Sequence, residues 1–450
     1  MSATSILRKA ATFRHGVHPD ELKELTCALP IERMPFVDEY VLPLSQHTGA
    51  PSKPVVLPGD RVQRGQMIAA ANGYISTALH SPVTGTVRAI ELRPHPSGSR
   101  SLAIVIAIDP FASQRFEQRA DKPDETMPAA EIVQHVQNAG LVGLGGAAFP
   151  SHVKLQAPEG KHVRFVMLNG CECEPYLTCD HRVMVEHAPE VVRGLSIIKK
   201  VLGAERGYVG VELNKADAIE RLRAEAASDP TLEVWPLAVK YPQGAEKMLI
   251  DAILRREVPA GGLPIDVEIV VNNIGTAVCL ADLFDTGRPL FERVVTVTGA
   301  GVRRPANLLV PLGTPMRAVL DYCGGLHPET RQVISGGPMM GQAQKDLDAP
   351  IVKGASGLLA LTERAPLVRE DACIRCGRCL EACPMFLNPS RLALLVRAEQ
   401  LDGLKELNLK DCFECGSCSF SCPSNIPLAQ LMRVGKAMLR QQQKSQGSKR

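Results

Sequence analysis

Two cysteine motifs near the C-terminus constrain this chain more than any other feature. Each follows the pattern Cys-x-x-Cys-x-x-Cys-x-x-x-Cys-Pro; the first contains Cys373, Cys376, Cys379 and Cys383, and the second contains Cys412, Cys415, Cys418 and Cys422. In proteins with two such motifs, three cysteines bind one 4Fe–4S cluster and the cysteine before proline binds the other cluster. We therefore predict crossed ligation: Cys373, Cys376, Cys379 and Cys422 on one cluster, and Cys412, Cys415, Cys418 and Cys383 on the other. This pattern favours a function in electron transfer.

Zinc binding and disulfide bonding are the alternatives for these cysteines. Structural zinc sites usually close one tetrahedron with two separated cysteine pairs or with histidines, so two runs of four cysteines fit zinc poorly. A disulfide framework is disfavoured because the chain is long and no secretory signal precedes Phe13. The other cysteines are scattered, which is typical of a reducing compartment: Cys27, Cys171, Cys173, Cys179, Cys279 and Cys323.

The length, charge and apolar runs of the chain indicate which classes of protein it can belong to. Its 450 residues suggest roughly three or four domains. A formal net charge of +3 gives no argument for nucleic-acid binding. The longest apolar run, Leu102 to Ile108, is far shorter than the roughly 20 residues that span a bilayer. We therefore expect any work at a membrane to depend on docking to integral-membrane partners.

The N-terminal region, to about residue 120, is predicted to be a small all-β domain. Short β-branched runs alternate with Gly-Asp and Thr-Gly turns, as in Val55 to Val62 and His80 to Val87. The pattern resembles a biotinyl/lipoyl-like barrel-sandwich hybrid. Carrier versions of that fold present a lysine on the central hairpin, but the corresponding stretch here, Ala71 to Thr77, contains none. We therefore expect a structural or partner-binding role for this domain.

After a polar linker at residues 121–127, apolar β runs alternate with amphipathic helices. The predicted helices are Pro128 to Ala139, Val183 to Lys200, Lys215 to Glu225, Ala245 to Arg255 and Thr276 to Phe284. The predicted strands are Val163 to Leu168, Gly207 to Leu213, Leu232 to Val239 and Val267 to Val271. This alternation predicts a largely parallel sheet that is covered on both faces.

Polar segments follow three of these strands, and a glycine-rich loop precedes them all. The segments are Asn169 to Pro175, Lys240 to Glu246 and Asn272 to Thr276, and the loop is Gly143 to Pro150. Ligands of parallel sheets bind at the carboxyl ends of the strands. Glycines in a loop allow backbone N–H groups to approach a phosphate. The combination predicts a nucleotide site, although such a loop alone is often only a turn.

The rest of the chain divides into two further regions and a tail. Residues 293–350 are predicted to form a small α+β module in which Met339 and Met340 serve packing. The cysteine region follows, and its helix formers from Ser390 to Leu407 predict a helical two-cluster domain. The last residues, Arg433 to Arg450, are basic and rich in Gln and Ser, which predicts a flexible solvated tail.

Four sequence features together resemble one known family. They are His15 to Pro19, Gly143 to Pro150, Asn169 to Asp180 and the paired cysteine motifs, in that order along the chain. These features and their order resemble the C subunit of the Rnf (or Rsx) ion-translocating electron-transport complex over nearly the whole chain. The middle region is also similar to the FMN- and NADH-binding subunit of respiratory complex I. Residues 293–350 resemble the soluble-ligand-binding β-grasp domain of that subunit.

The resemblance implies a multidomain α/β fold. Its expected parts are a barrel-sandwich β domain (1–120), a Rossmann-like doubly wound FMN/NAD(H)-binding domain (128–290), a β-grasp-like domain (293–350), a ferredoxin-type domain with two 4Fe–4S clusters (365–432) and a basic flexible tail (433–450).

The resemblance also implies a redox function. We expect an oxidoreductase/translocase subunit that exchanges electrons between NAD(H), non-covalently bound FMN and two 4Fe–4S clusters. It would lie peripherally on the cytoplasmic face of the bacterial inner membrane, with integral-membrane and iron–sulfur subunits as partners. Ferredoxin or flavodoxin would take part indirectly. The alternatives are an iron–sulfur relay or scaffold without a working flavin site, and an adaptor that zinc stabilises.

Matching motifs assign expected roles to individual residues. The flavin would be held by Gly143, Gly145, Gly146 and Lys154. Its ribityl phosphate and ring edge would contact Asn169, Asn272, Asn273 and Thr276, and Tyr241 would pack near it. The nicotinamide nucleotide would face Glu172, Glu174 and Glu246. Carboxylates suit ribose hydroxyls, which favours NADH over NADPH. The glutamates could instead be ordinary solvated carboxylates, Lys154 a surface lysine, and the asparagines simple helix caps.

Two positions depart from the family pattern. Ala148 replaces a glycine that is usual in the glycine-rich loop, which would tighten access of the nucleotide. Cys171 stands where the complex I relative has an acidic residue, so that residue's role does not transfer directly.

Overall fold

The computed structural model describes residues 10–118, 120–363 and 369–447. Within these ranges, no helix is both long enough and apolar enough to cross a bilayer. The predicted start of the cysteine domain, at 365–368, and the end of the predicted tail, at 448–450, lie outside the described residues.

The regular structure of the described N-terminal region consists of β-strands. They are β1 (Ile31–Arg33), β2 (Glu39–Pro43), β3 (Lys53–Pro54), β4 (Arg61–Val62), β5 (Met67–Ala70), β6 (Leu79–His80), β7 (Gly85–Pro94) and β8 (Arg100–Ile108). Two antiparallel sheets, with strand orders β2-β8-β7-β4 and β3-β5-β6, enclose a core that includes Tyr40, Ile68 and Ile104. Side chains alternate between this core and the surface at the start of β7, as expected of a half-buried strand.

The middle region alternates helices with strands. In chain order it contains α1 (Ala129–Asn138), α2 (Ser151–Lys154), β9 (Phe165–Gly170), α3 (Cys179–Glu186), α4 (Ala188–Val201), β10 (Arg206–Glu212), α5 (Ala216–Ala226), β11 (Leu232–Leu237), α6 (Glu246–Leu254), β12 (Ile269–Asn273) and α7 (Ile274–Thr286). The sheet order is β11-β10-β9-β12, and every pairing is parallel. Leu168 packs in the same core as Leu195 of α4, while Met167 packs with Leu249 of α6. The predicted parallel sheet with two covered faces is therefore confirmed.

One predicted helix in this region is wrong in its extent. The segment from Val183 to Lys200 forms two helices, α3 and α4, that are separated at His187. Pro189 lies in the first turn of α4 and has no N–H to donate to the preceding turn, so α3 cannot continue through it.

A glycine controls how closely α4 approaches α7. A Cβ atom at Gly194 of α4 would lie 2.1 Å from the carbonyl oxygen of Ala277 in α7. We expect Gly194→Ala to push the helices apart and to destabilise the fold by about 1–3 kcal/mol. The midpoint of denaturant unfolding measures this loss, with Ser196→Ala in the same helix as the control. An unchanged midpoint for Gly194→Ala would contradict the close helix packing.

A mixed sheet follows the parallel one. Its strands in this region are β13 (Glu292–Thr298), β14 (Ala306–Pro311), β15 (Gln332–Ser335), β16 (Gln342–Ala343) and β17 (Gly357–Leu361). The helix α8 (Met316–Tyr322) lies between β14 and β15 in the chain. The strand order is β1-β14-β13-β17-β15-β16. Two strands of this sheet come from outside the module predicted at 293–350: β1 pairs in parallel with β14 as an edge strand, and β17 lies in the middle of the sheet.

The cysteine domain is helical, as predicted. Its helices are α9 (Arg378–Ala382), α10 (Pro389–Arg397), α11 (Leu401–Glu406), α12 (Ser417–Phe420) and α13 (Leu428–Gly447). The helix-forming stretch from Ser390 to Leu407 is divided into α10 and α11, with Glu399 between them in the left-handed conformation.

The flexible tail predicted for residues 433–450 is wrong as far as Gly447, since this stretch belongs to α13. Met432 and Leu439 of α13 are buried in the core of the cysteine domain together with Leu392 and Val396 of α10. Apolar side chains at helical spacing are thus present within a basic, Gln-rich sequence, and their burial holds the helix in place.

Residues 10–27 do not belong to the small β sheets. The N-terminal strap, which we define as residues 10–27, runs along the parallel sheet instead. Ala11 forms a parallel bridge with Leu237 at the end of β11, and Val17 forms an antiparallel bridge with Tyr241. This part of the β domain predicted at 1–120 thus lies against the parallel sheet, outside the two small β sheets.

Candidate functional site

A cavity of about 740 Å³ lies at the carboxyl ends of β9 and β12. Its size is within the range of about 300–1,000 Å³ that is typical of small-molecule sites. The glycine-rich loop, the segment after β11, the mixed sheet and the cysteine domain all contribute to its wall. The predicted site residues on this wall are Gly145, Asn169, Glu172, Glu174, Tyr241, Glu246 and Asn273. We call this space the nucleotide cavity.

The other predicted nucleotide residues are not part of the wall: Gly143, Gly146, Lys154, Asn272 and Thr276. Thr276 supports the glycine-rich loop from behind, because its hydroxyl accepts from the N–H of Leu144 at 2.9 Å and donates to the carbonyl of Val142 at 3.2 Å. Lys154 forms an ion pair with Glu246 and donates to the carbonyl of Val271 at 2.9 Å. Thr276 and Lys154 therefore support the wall of the cavity without lining it.

The glycine-rich loop presents bare backbone to the cavity. A Cβ atom at Gly145 would lie 3.6 Å from the side chain of Asn273, which is an ordinary contact distance. Gly146 has a φ of +108°, a left-handed conformation that favours glycine, and it lines an adjoining cleft of about 590 Å³.

Two of the predicted carboxylates are held in place by backbone donors. Glu172 accepts from the N–H groups of Asp180 at 2.7 Å and His181 at 3.2 Å, at the start of α3. Glu174 accepts from the N–H groups of Met339 at 3.0 Å and Met340 at 2.8 Å. Each carboxylate oxygen can accept more than one hydrogen bond, so both groups can still bind a hydroxyl. Both methionines therefore contribute backbone donors, but the predicted packing role fits only Met339, which packs beside Tyr241, because the side chain of Met340 is exposed.

Asp180 is a site residue that the sequence predictions missed. It lines the nucleotide cavity and accepts from the side-chain amide of Asn273 at 2.7 Å. Burial, and then the nearby charge of Glu172, raise the pKa of Asp180 to about 7. Asp180 ends the phrase Asn169 to Asp180, so its position next to predicted residues was the available signal.

Three lysines on the cavity wall were also missed, namely Lys247, Lys410 and Lys436. Lys436 belongs to α13, the helix whose sequence suggested a flexible tail. Its ammonium group donates to the carbonyl of Cys412 and to Glu414, the latter at 3.0 Å. No sequence signal identifies Lys410 or Lys436, because only tertiary packing brings the cysteine domain to this cavity.

Tyr241 joins the nucleotide cavity to the cysteine domain. Its side chain is buried, and its hydroxyl donates to the carbonyl of Cys415 at 2.7 Å. Burial, and then the charge of Glu174, raise the pKa of Tyr241, so the hydroxyl keeps its proton and remains a donor. Val17 and Ala382 pack in the same small apolar cluster.

The inner cysteine group consists of Cys383, Cys412, Cys415 and Cys418. These four thiols line one small cavity. They include three cysteines of the second motif and the proline-flanked cysteine of the first, which is the predicted crossed set. Burial, and then the neighbouring thiols, raise the pKa of Cys418 to about 12. Four thiols around one space, that of Cys383 buried and the other three half-buried, fit iron, which provides the positive charge that thiolates removed from water need.

The outer cysteine group consists of Cys373, Cys376, Cys379 and Cys422. Cys373 and Cys376 are exposed, whereas Cys379 is buried. Burial raises the pKa of the Cys379 thiol. Ser424, two residues after Cys422, accepts from the N–H of Asp371 at 3.0 Å and donates to the carbonyl of Ala372 at 3.0 Å, which brings the end of the second motif beside the start of the first.

The two cysteine groups differ in their relation to the nucleotide cavity. Cys412 and Phe413 line both the nucleotide cavity and the small cavity of the inner group. No member of the outer group lines the nucleotide cavity. The structure therefore places the inner group next to the cavity.

Four domain families match consecutive parts of the chain. The RnfC barrel sandwich hybrid domain matches residues 11–110, the Nuo51 FMN-binding domain matches 136–282, the SLBB domain matches 294–343 and the 4Fe-4S dicluster domain matches 370–426.

Curated relatives match over nearly the full length. The chain is 45% identical over 402 residues to the C subunit of the proton-translocating ferredoxin:NAD(+) oxidoreductase complex of Clostridium ljungdahlii, covering 89% of this chain and 88% of the relative. It is 44% identical over 429 residues to the C subunit of the Na(+)-translocating ferredoxin:NAD(+) oxidoreductase complex of Acetobacterium woodii, covering 95% and 97%. The C subunit of the ion-translocating oxidoreductase complex of Rhodobacter capsulatus is 41% identical over 436 residues, covering 96% and 84%.

A solved structure shows a likeness of fold alone. The crystal structure of an NAD+-reducing NiFe-hydrogenase in the air-oxidized state matches with a TM-score of 0.51 and 21% sequence identity, covering 72% of this chain and 64% of that chain.

The domains and the cysteine groups define an electron-transfer protein that combines an FMN-binding domain with a two-cluster iron–sulfur domain. The chain belongs to the RnfC family, the C subunits of ion-translocating oxidoreductase complexes. The resemblance stated from the sequence is confirmed.

Proposed function

We propose that this chain exchanges electrons between NAD(H) and two 4Fe–4S clusters through FMN bound in the nucleotide cavity. The observation that carries the proposal is the composition of one cavity wall. Gly145 and Glu174 lie on this wall together with Cys412 of the inner cysteine group. A nucleotide in this space would therefore be adjacent to the inner cluster.

The cavity residues suit a flavin nucleotide. The bare backbone at Gly145 suits a phosphate, and Lys247, Lys410 and Lys436 supply positive charge on the wall. The side-chain amide of Asn169 donates to the carbonyl of Gly244 at 2.7 Å and so fixes another part of the wall. When bound, FMN exchanges a hydride with the nicotinamide and single electrons with the iron–sulfur clusters.

The carboxylates of the cavity suit the ribose of NAD(H). Glu172 and Glu174 are oriented by backbone N–H donors, so a ribose hydroxyl meets acceptors that are already in position. A 2′-phosphate in the same place would meet two negative charges. These contacts support NADH over NADPH as the substrate.

The proposal also covers the type of each domain and the location of the chain in the cell. We assign a barrel-sandwich domain, a Rossmann-like doubly wound domain, a β-grasp-like domain that includes β1 and β17, and a ferredoxin-type domain. We place the chain peripherally on the cytoplasmic face of the bacterial inner membrane, where integral-membrane and iron–sulfur subunits are its partners. Activity toward ferredoxin or flavodoxin requires those partners.

Removal of Glu174 is expected to weaken NADH use more than FMN retention. Glu174→Ala removes the carboxylate that we assign to the ribose, and it leaves the N–H groups of Met339 and Met340 without their acceptor. Hydrogen bonds to a charged group contribute about 1.5–3 kcal/mol each, so a rise of at least about tenfold in the KM for NADH is expected. Steady-state reduction of an artificial acceptor measures this change, and the FMN content is determined in parallel.

The matched control is Glu186→Ala. Glu186 also accepts a backbone N–H, that of Ile31 at 3.0 Å, but it does not line the nucleotide cavity. Its KM for NADH should remain at the wild-type value. Loss of FMN with an unchanged KM in Glu174→Ala would reassign this carboxylate to the flavin.

Anaerobic reconstitution tests the proposed function as a whole. The protein is supplied with iron, sulfide and FMN, and NADH-dependent reduction of an artificial acceptor is then measured. Cluster absorbance without FMN binding or acceptor reduction would select the iron–sulfur relay or scaffold. Stoichiometric zinc without labile sulfide would select the zinc-stabilised adaptor.

A further inference from the structure

A buried lysine of the N-terminal strap lies behind the nucleotide cavity. Lys23 is 8% exposed, and its ammonium group donates to the backbone carbonyls of Glu172 at 2.9 Å, Glu174 at 2.8 Å and Leu177 at 2.5 Å. An ammonium group has three N–H donors, so these carbonyls use its whole capacity. All three belong to the segment Cys171–Leu177, which we call the nucleotide loop.

The nucleotide loop needs such a partner because its backbone is irregular. Glu172 and Tyr176 have φ values of +45° and +69°, so the chain enters the left-handed region twice within a few residues. Carbonyls that are buried in such a loop have no regular strand or helix partner, and leaving them unpaired is costly. A second buried lysine, Lys215, donates to the carbonyl of Cys171 at 2.7 Å. The loop is therefore organised around buried ammonium groups.

The strap is itself fixed on the N-terminal side of Lys23. The backbone carbonyl of Glu21 accepts from the N–H of Tyr176 at 2.8 Å, which ties the strap to the loop a second time. Val17 exchanges backbone hydrogen bonds of 2.8 and 2.9 Å with Tyr241. His15 contacts the cysteine domain, with its Nδ1 3.2 Å from the carbonyl oxygen of Leu380. The segment His15 to Pro19, which the redox function does not use, thus anchors Lys23.

We propose that Lys23 is a positioning residue for the nucleotide site: it gathers the carbonyls of the nucleotide loop from behind and thereby fixes Glu172 and Glu174 at the cavity wall. The effect on the loop follows from the contacts alone, whereas the effect on NADH rests on the proposed function. Burial lowers the pKa of Lys23, and the nearby charge of Glu172 opposes this shift by favouring the ammonium form.

The test compares two lysine-to-methionine variants of the full-length protein. Lys23→Met keeps an unbranched apolar side chain but removes the ammonium group and leaves three carbonyls unpaired. We expect hydrogen–deuterium exchange in the peptide covering residues 171–181 to accelerate at least about tenfold. We also expect the KM for NADH to rise by a similar factor, with a smaller change in kcat.

Lys353→Met is the matched control. Lys353 is also fully buried, and it donates to the carbonyls of Ala78 at 2.7 Å and Gly140 at 2.6 Å, which are not part of the nucleotide loop. This variant should leave exchange in residues 171–181 at the wild-type rate. Equal acceleration in both variants would show a general loss of stability and would overturn the proposal.

The remaining outcomes also decide the question. Unchanged loop exchange in Lys23→Met overturns the proposal, and so does faster exchange with wild-type FMN retention and KM. If Lys23→Met does not fold, Lys23→Gln, which keeps an N–H donor, is measured instead. It must show faster exchange in residues 171–181 and a higher KM for NADH than the wild-type protein. A wild-type protein that binds neither FMN nor NADH would refute the proposed function, while loop exchange would still report on the positioning by Lys23.

Discussion

Replacement of Gly145 by leucine is expected to abolish FMN binding while both iron–sulfur clusters remain. Gly145 lines the nucleotide cavity, and its φ lies outside the left-handed region, so other residues can adopt its backbone conformation. A Cβ atom there would make only an ordinary contact with Asn273 at 3.6 Å. The leucine side chain would therefore occupy the cavity without straining the loop that carries it.

The measurement is the FMN content after anaerobic reconstitution and gel filtration. Labile sulfide and the thermal unfolding midpoint, both at wild-type values, would show that the variant is folded. Gly145→Ala should retain part of the FMN, because its single methyl group fills less of the cavity. A leucine variant with a full complement of FMN would place the flavin elsewhere.

The second large effect concerns the crossed cluster ligands. Cys383→Ser should remove the cluster of the inner cysteine group, although Cys383 belongs to the first motif. Cys422→Ser should remove the cluster of the outer group, although Cys422 belongs to the second. The reason is spatial: Cys383 shares one small cavity with Cys412 and Cys415, and Ser424, two residues after Cys422, forms hydrogen bonds with the residues just before Cys373.

Electron paramagnetic resonance of the reduced variants distinguishes the two clusters. Each variant should keep one cluster and about half of the labile sulfide, because each motif supplies the fourth ligand of the other cluster. Cys383→Ser should also stop electron transfer from NADH to the outer cluster, since the inner group is the one that adjoins the cavity. Cys27→Ser, at a cysteine of the N-terminal strap, should retain both signals. Loss of the inner signal in Cys422→Ser would refute the crossing.

Features that depend on local patterns could be predicted from the sequence. The parallel sheet could be predicted because apolar β runs alternate with amphipathic helices over the whole middle region. The crossed grouping of the cysteines could be proposed because ligand spacing is itself a local constraint. The position of the cavity in the fold could be predicted because polar residues occur at the carboxyl ends of strands, as Asn169 does in β9 and Asn273 in β12.

Features that depend on tertiary packing could not be predicted. Lys436 reaches the cavity only because α13 packs on α10, and its basic, Gln-rich surroundings suggested a tail. Lys23 is distant in sequence from the nucleotide loop that it supports. The presence of Glu172 and Glu174 near the site could be predicted, but their orientation could not. Their hydrogen bonds with backbone N–H groups depend on where α3 begins and where Met339 lies.

An anaerobic NADH titration of the FMN-reconstituted protein, followed by absorbance and electron paramagnetic resonance, tests the central claim most directly. That claim is that one cavity brings a nicotinamide-reduced flavin next to the inner cysteine group. The account predicts bleaching of the flavin together with the appearance of reduced-cluster signals, and the loss of both responses in Gly145→Leu. Protein that binds FMN and carries both clusters, but whose clusters stay oxidised while NADH bleaches the flavin, would contradict it.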